Sequence, residues 1–119
     1  MQSLAVIFEE PEVLELRRLA LDAVGANDLR IENIHSGIST GTERLLWSGR
    51  MPHFPGMGYP LVPGYESVGR VVEMGAAAKS AGTFAIGDHV FVPGANCFGD
   101  VRGLFGGTGG VAAQIVARM

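Results

Sequence analysis

Two short clusters of oxygen-bearing side chains mark where this sequence could carry out chemistry. The first cluster is Ser39 and Thr42, and the second is the adjacent pair Tyr65 and Glu66. Hydroxyl and phenol groups both donate and accept hydrogen bonds, and carboxylates accept protons, so such groups can hold a substrate oxygen and move a proton. The fold must therefore bring together two clusters that lie far apart in the sequence.

The histidines and the single cysteine predict no metal site of their own. His35, His53 and His89 show no His-x-x-x-His spacing, and each is interpreted as a packing, strand-capping or solvent-facing residue. Cys97 is the only cysteine, which excludes an internal disulfide and any Cys-x-x-Cys motif. It is predicted to be a small buried apolar residue rather than a nucleophile.

Length and composition predict a single domain. The chain has 119 residues, of which 47% are hydrophobic, and its formal net charge of -3 argues against binding nucleic acid or anionic lipid. The first residues do not resemble a signal peptide and no apolar stretch approaches ~20 residues, so no membrane span and a cytoplasmic location are expected. A mean hydropathy of +0.26 indicates that some apolar surface meets a partner.

Short β-type runs separated by glycine and proline predict a mainly β fold. A short helix is predicted at 40–47, because Thr40 and Glu43 have the spacing of a capping box, which would account for Glu43 structurally. Residues 48–63 are rich in proline and predict an ordered but irregular loop. The strand candidates are 4–8, 13–19, 29–35, 67–74, 89–92 and 111–117.

One glycine motif resembles a dinucleotide-binding fingerprint. Residues 107–112 satisfy the G-x-G-x-x-G/A pattern. That fingerprint requires a βαβ unit and an acidic residue about 20 positions further on, whereas the few residues after 112 include no acidic one. We therefore interpret the motif as a turn into the last strand.

Three ordered blocks, at 34–43, 59–66 and 86–97, resemble the N-terminal GroES-like domain of medium-chain dehydrogenases. Within that superfamily, Ser-Gly-Ile-Ser-Thr-Gly-Thr-Glu at 36–43 and Met-Gly-Tyr-Pro-Leu-Val-Pro-Gly-Tyr-Glu at 57–66 are most similar to bacteriochlorophyllide a dehydrogenases. The resemblance implies a GroES-like, partly open β-barrel with one or two short helices, filling residues 1–119. It also implies that the Rossmann dinucleotide-binding domain is absent from this chain.

The resemblance implies a function for the complete enzyme. Such enzymes oxidise the 3-(1-hydroxyethyl) group of a chlorin to a 3-acetyl group and pass hydride to NAD. The NAD would be bound mainly by the missing Rossmann domain, so this chain alone is expected to be inactive. A flat tetrapyrrole would suit the aromatic and methionine-rich segment 47–59, although packing of that segment on its own barrel is the other interpretation.

The resemblance fails at the positions that bind zinc in many medium-chain dehydrogenases. Ser36 and Ser39 stand where the Cys-Gly-x-Cys-x-Thr-Asp pattern has cysteines, and Tyr65 stands where Gly-His-Glu has histidine. Hydroxyls and a phenol are poor zinc ligands beside thiolate and imidazole. The cysteine-rich lobe that holds a structural zinc is also missing, so no zinc is expected.

The same resemblance suggests roles for the remaining polar residues. Gly-Thr-Glu at 41–43 resembles Gly-Thr-Asp after a one-residue insertion, which leaves the register of 40–43 ambiguous by one. One hypothesis is that Tyr65 hydrogen-bonds the substrate oxygen while Thr42 or Ser39 relays the proton. The alternative is that Tyr65 only fills the former zinc pocket. Glu66 matches a glutamate near the metal and is either catalytic or a structural partner.

Two other functions remain open at this point. The chain could be a stand-alone GroES-like binding or assembly module that forms homo-oligomers through exposed apolar edges. It could instead be the catalytic domain of a zinc-free quinone or enone reductase. The last residues do not resemble a designed stop, which favours a fragment of a longer enzyme, and the choice between NAD and NADP depends on residues outside this chain.

Overall fold

The strands form two antiparallel sheets, one of two strands and one of four. The computed structural model describes residues 1–53, 55, 57–94 and 114–118. The described strands do not close into a barrel, and the predicted mainly β, partly open architecture is confirmed. The first sheet pairs β1 (Gln2–Glu10) with β2 (Val13–Ala20), and the second has the order β5-β4-β3-β6, with β3 (Asp28–Ser36), β4 (Ser67–Met74), β5 (His89–Val92) and β6 (Gln114–Arg118).

The described residues contain two short helices. Helix α1 (Thr40–Ser48) lies where the sequence predicted a helix. Helix α2 (Ala76–Ala81) was not located from the sequence, although alanine is the strongest helix former and four of its six residues are alanine. In the part of the chain that the structure describes, no helix is long and apolar enough to cross a membrane.

The main core lies between the two sheets and follows the alternation of the strands. Ala5 and Ile7 point inward from β1, and Leu29 and Ile31 point inward from β3, as expected when every second residue faces the core. This core fixes β3 and β4 against each other, and the adjoining ends of these two strands carry the candidate site. Its other buried members are Leu19, Leu21, Val62, Val71, Ala78, Val92, Ile115, Val116 and Ala117.

A second, smaller apolar cluster holds the proline-rich loop against the first sheet. Its buried members are Phe8, Leu46 and Leu61, one each from β1, α1 and the loop. Phe8 and Leu61 exchange two backbone hydrogen bonds of 2.8 and 2.9 Å. The partly buried side chains packed on this cluster are Met51, Met57, Tyr59 and Tyr65. Much of the aromatic and methionine-rich segment therefore packs on its own domain, while Trp47 remains 40% exposed.

The Tyr59 hydroxyl is the clearest polar anchor of this cluster. It donates a hydrogen bond to the backbone carbonyl of Leu46, near the end of α1, and burial raises the pKa of Tyr59 above its usual range. We expect Tyr59→Phe to lower the free energy of unfolding by ~0.5–1.5 kcal/mol, because the carbonyl loses one of its two donors and keeps only the N–H of Gly49 at 3.3 Å. Urea denaturation would measure the loss.

Tyr65→Phe is the matched control for that experiment, since it removes the same atom from the same cluster. The Tyr65 hydroxyl makes no hydrogen bond to any residue that the structure describes, so this change should alter the unfolding free energy by less than ~0.5 kcal/mol. Equal losses for the two variants would contradict a specific role for the bond from Tyr59 to Leu46.

Candidate active site

The end of β3 and the start of β4 bring the two polar clusters together. Ser36 at the end of β3 lies opposite Ser67 at the start of β4. Just beyond this pair, the backbone N–H of Gly37 donates to the carbonyl oxygen of Glu66 at 2.9 Å. The chain then enters α1 through Ser39, and Glu43 in the first turns of that helix lies near enough to Gly64 and Glu66 for both to act on its carboxyl group.

Gly37 allows the Glu66 side chain to lie directly on the backbone of this connection. A Cβ atom at Gly37 would lie 2.4 Å from Oε1 and 2.5 Å from Cγ of Glu66, well inside van der Waals contact. Any larger residue at this position would have to displace the carboxylate. The position of Glu66 therefore depends on a glycine whose role is steric.

The first turn of α1 joins two of the predicted site residues. Ser39 is the N-cap, and its Oγ donates a hydrogen bond of 3.2 Å to Oγ1 of Thr42. The prediction that Thr40 and Glu43 form a capping box is wrong, because Thr40 already lies inside the helix and no side chain caps its N-terminus. The Ser39 hydroxyl is engaged with Thr42 instead of with a backbone amide.

Glu43 is a site residue that the sequence interpretation missed. Both of its carboxylate oxygens are buried, and neither has a hydrogen-bond partner among the described residues. Burial raises the pKa of the Glu43 carboxyl and the negative charge of Glu66 raises it further, while the backbone amides of Glu43, Ser39 and Gly64 act in the opposite direction. These amides are near enough to favour the charged form, but none makes a hydrogen bond to the carboxylate that meets normal geometric limits.

A sequence signal for Glu43 did exist. It occupies the acidic position of the Gly-Thr-Glu run, but the capping-box spacing with Thr40 offered a simpler local explanation. Local spacing could not show that the carboxylate is buried and lies near Gly64 and Glu66 as well as near the amides of the helix N-terminus.

Tyr65 lies partly buried against the cluster of Phe8, Leu46 and Leu61. The described residues show no hydrogen bond between its hydroxyl and either Ser39 or Thr42. The structure thus brings Ser39, Thr42, Glu43 and Glu66 into one group and places Tyr65 at its apolar border. The catalytic role of Tyr65 and its role as a pocket filler both stay predictions.

The donor atoms at this site do not fit zinc. Ser39 and Tyr65 offer only hydroxyl oxygens at the positions where zinc relatives use thiolate and imidazole, and the two nearby carboxylates add only oxygen. Within the described ranges, no group of three or more His, Cys, Asp or Glu residues could hold a metal ion. His35, His53 and His89 are all exposed. Zinc independence stays a prediction, and Cys97 and the glycine motif at 107–112 lie outside the described residues.

We expect the contribution of Glu43 to stability to increase as the pH falls. Because its folded-state pKa is raised above the ordinary value of 4.5, the folded chain binds this proton more tightly than the unfolded chain does. This extra stability is absent well above the folded-state pKa and appears as the pH falls through it. It is complete below the pKa of the unfolded chain. Urea unfolding would measure the free energy of unfolding of the wild type and of Glu43→Gln. The difference between the two should shift in favour of the wild type as the pH falls.

Glu15→Gln is the control for this pH dependence, since Glu15 is an exposed glutamate on β2, away from the site. Its stability difference from the wild type should not follow the same pH course. A difference between the wild type and Glu43→Gln that is constant between pH 4.5 and neutrality would contradict the raised pKa of the Glu43 carboxyl.

Comparison with known proteins identifies the family of this fold and site. The sequence profile of the alcohol dehydrogenase GroES-like domain matches residues 25–118. The chain belongs to this family. The GroES-like domain also superimposes on the 2R,3R-butanediol dehydrogenase of Bacillus subtilis with a TM-score of 0.76, covering 98% of this chain and 38% of that one at 20% identity. At this identity, the superposition supports the fold alone.

Two relatives resemble this GroES-like domain more closely in sequence. Both are named 2-desacetyl-2-hydroxyethyl bacteriochlorophyllide A dehydrogenase. The protein from Rhodobacter capsulatus is 56% identical over 108 residues, covering 90% of this chain and 33% of its own length. The protein from Cereibacter sphaeroides is 54% identical over 111 residues, covering 89% of this chain and 34% of its own length. The chain spans about one third of the length of these relatives.

Proposed function

We propose that this chain is the catalytic-side domain of an NAD-dependent, zinc-independent dehydrogenase. The enzyme would oxidise the 3-(1-hydroxyethyl) group of a bacteriochlorophyllide precursor to a 3-acetyl group. The similarity to two relatives named for a hydroxyethyl bacteriochlorophyllide, over nearly the whole chain, carries the proposal. We further propose that a Rossmann domain elsewhere in the protein binds the cofactor, that the isolated chain is inactive, and that the enzyme is cytoplasmic.

The proposed reaction needs a group to bind the substrate oxygen and a path for its proton. The nicotinamide cofactor supplies the acceptor for the hydride that leaves the carbinol carbon. The Tyr65 hydroxyl donates a hydrogen bond to the substrate oxygen, where an enzyme of the zinc type would use its metal. The hydrogen-bonded pair Ser39 and Thr42 supports the idea of a proton relay, because each hydroxyl can accept one proton and donate another.

The tetrapyrrole would bind beside the first turn of α1. Ile38, at the entrance to this helix, and Trp47, near its end, are large apolar side chains that remain exposed. Aromatic rings and aliphatic groups can pack on the flat face of a chlorin. This assignment leaves Met51, Met57 and Tyr59 in their packing role within the second cluster.

The decisive experiment is an assay of the full-length protein with a 3-(1-hydroxyethyl) chlorin. We expect reduction of NAD together with formation of the 3-acetyl product, and both should persist after treatment with a zinc chelator. A parallel assay with NADP would establish the cofactor preference. Activity confined to simple alcohols or to quinones and enones would overturn the substrate assignment, and a full-length protein without oxidoreductase activity would favour a binding or assembly module.

A further inference from the structure

Burial of the Glu43 carboxylate is energetically unfavourable for this domain. Its two oxygens are buried and lack hydrogen-bond partners in the part of the chain that the structure describes. A buried carboxylate without a partner is strongly disfavoured compared with the same group in water. The ion pairs formed by described residues lie elsewhere, between Arg17 and Glu9, Arg30 and Glu73, and Arg70 and Glu32.

Burial and the negative charge of Glu66 favour uptake of a proton by Glu43, while the nearby backbone amides of Glu43, Ser39 and Gly64 favour the charged form and oppose it in part. The hydroxyls of Ser39 and Thr42 belong to the same helical turn, and Gly64 and Glu66 approach from the segment before β4. Glu66 is the charged side chain, among those described, whose field acts on Glu43, and it is itself negative. A buried carboxylate that feels a second negative charge, with no described cation paired to either group, binds a proton more readily than it would without that charge.

We propose that Glu43 takes up the proton released when the substrate alcohol is oxidised, an inference that rests on the proposed function. In this step the O–H and C–H bonds of the carbinol break and the C=O bond forms. The hydride goes to the oxidised nicotinamide, and the proton crosses the hydroxyls of the site to form an O–H bond on Glu43. Glu43 later releases this proton to solvent, and the same residue returns a proton when the reaction runs in reverse.

With Glu43 as the final proton acceptor, the proton path extends beyond the residues that border the substrate. Ser39 and Thr42 can pass a proton but cannot keep it, because a hydroxyl that accepts a proton must give one up. A buried carboxylate of raised proton affinity can keep the proton until solvent reaches it. Glu43 thus acts through the hydroxyl pair, and Glu66 assists through its charge.

A pH profile of the full-length enzyme tests this role with the hydroxyethyl chlorin and NAD. We expect Glu43→Gln to lower kcat for oxidation roughly tenfold at neutral pH and to remove the fall in rate on the acidic side of the profile. Glu43→Asp, which restores a carboxylate, should recover part of the rate and the acidic limb. Glu15→Gln is the matched control and should keep the wild-type profile. A Glu43→Gln enzyme with wild-type turnover and pH profile would overturn the inference.

An infrared titration of the full-length protein tests the same residue without any substrate. The difference between wild type and Glu43→Gln should contain the carbonyl band of one buried protonated carboxyl, which shifts in D2O. This band should appear at a higher pH than that of an exposed glutamate, and Glu66→Gln should move its appearance to lower pH. A Glu43 band that titrates with the exposed carboxyls would overturn the inference.

The two measurements separate this inference from the proposed function. A protein that oxidises the chlorin normally after Glu43→Gln would retain the proposed function and lose the role of Glu43. A protein that does not oxidise the chlorin would lose the proposed function, while the infrared titration would still decide whether Glu43 is the proton-binding group of this site.

Discussion

Replacing Gly75 with alanine should destabilise the domain by about 3 kcal/mol, because overpacking against rigid backbone costs this much and sometimes more. A Cβ atom at Gly75 would lie 2.0 Å from the carbonyl oxygen of Gly25 and 2.4 Å from that of Ala26. Neither carbonyl can retreat freely, since the N–H of Asp28 donates to the carbonyl of Gly25 at 3.0 Å and the N–H of Ala78 donates to that of Ala26 at 2.9 Å. Urea unfolding would measure the loss.

Gly41→Ala is the matched control for that substitution. Gly41 lies in helix α1, and nothing is found within 4 Å of the position its Cβ would take. The same added methyl group should therefore stabilise the chain by up to ~1 kcal/mol, since alanine favours a helix more than glycine does. If Gly75→Ala were as harmless as Gly41→Ala, the close contact between residue 75 and the turn at 25–28 would be refuted.

Tyr65→Phe in the full-length enzyme should lower the turnover of the hydroxyethyl chlorin at least about tenfold, because removing a hydrogen-bond donor from a reacting oxygen commonly costs ~10²–10³ in kcat. The change removes only the hydroxyl and leaves the ring in its contacts with Phe8, Leu46 and Leu61. Affinity for NAD should not change, because the cofactor is proposed to bind mainly to the other domain. Steady-state kinetics together with a direct NAD titration would measure both quantities.

Tyr59→Phe provides the comparison for this enzyme experiment. Its hydroxyl is committed to the carbonyl of Leu46, so its loss should affect stability rather than the chemical step. Unchanged turnover in Tyr65→Phe would leave the tyrosine as a filler of the apolar border. A fall in both turnover and NAD affinity would point to a general disturbance of the active site.

Glycine shows where sequence interpretation reached its limit. The sequence indicates that glycines lie at the ends of β-type runs, and turn or bulge roles followed from that placement. It does not show that Gly37 makes room for Glu66 or that Gly75 packs on the turn at 25–28, because each contact joins segments far apart in the chain. A close approach between a glycine backbone and atoms far away in the sequence leaves no periodic pattern in the sequence.

Local sequence patterns determined much of this domain. Alternating apolar residues place the strands, since one face of each strand must reach the core, and the expected helix at 40–47 is present as α1. The replacement of histidine by Tyr65 and of cysteine by Ser39 was also visible, because ligand chemistry depends on residue type.

The tertiary structure decided what those patterns could not. It packed the proline-rich loop onto Phe8 and Leu46, and it buried the Glu43 carboxylate near Gly64 and Glu66. The physical reason is that the proton affinity of a carboxylate depends on burial and on charges brought near it by the fold. Spacing along the chain identifies the residue type, while only packing determines its environment.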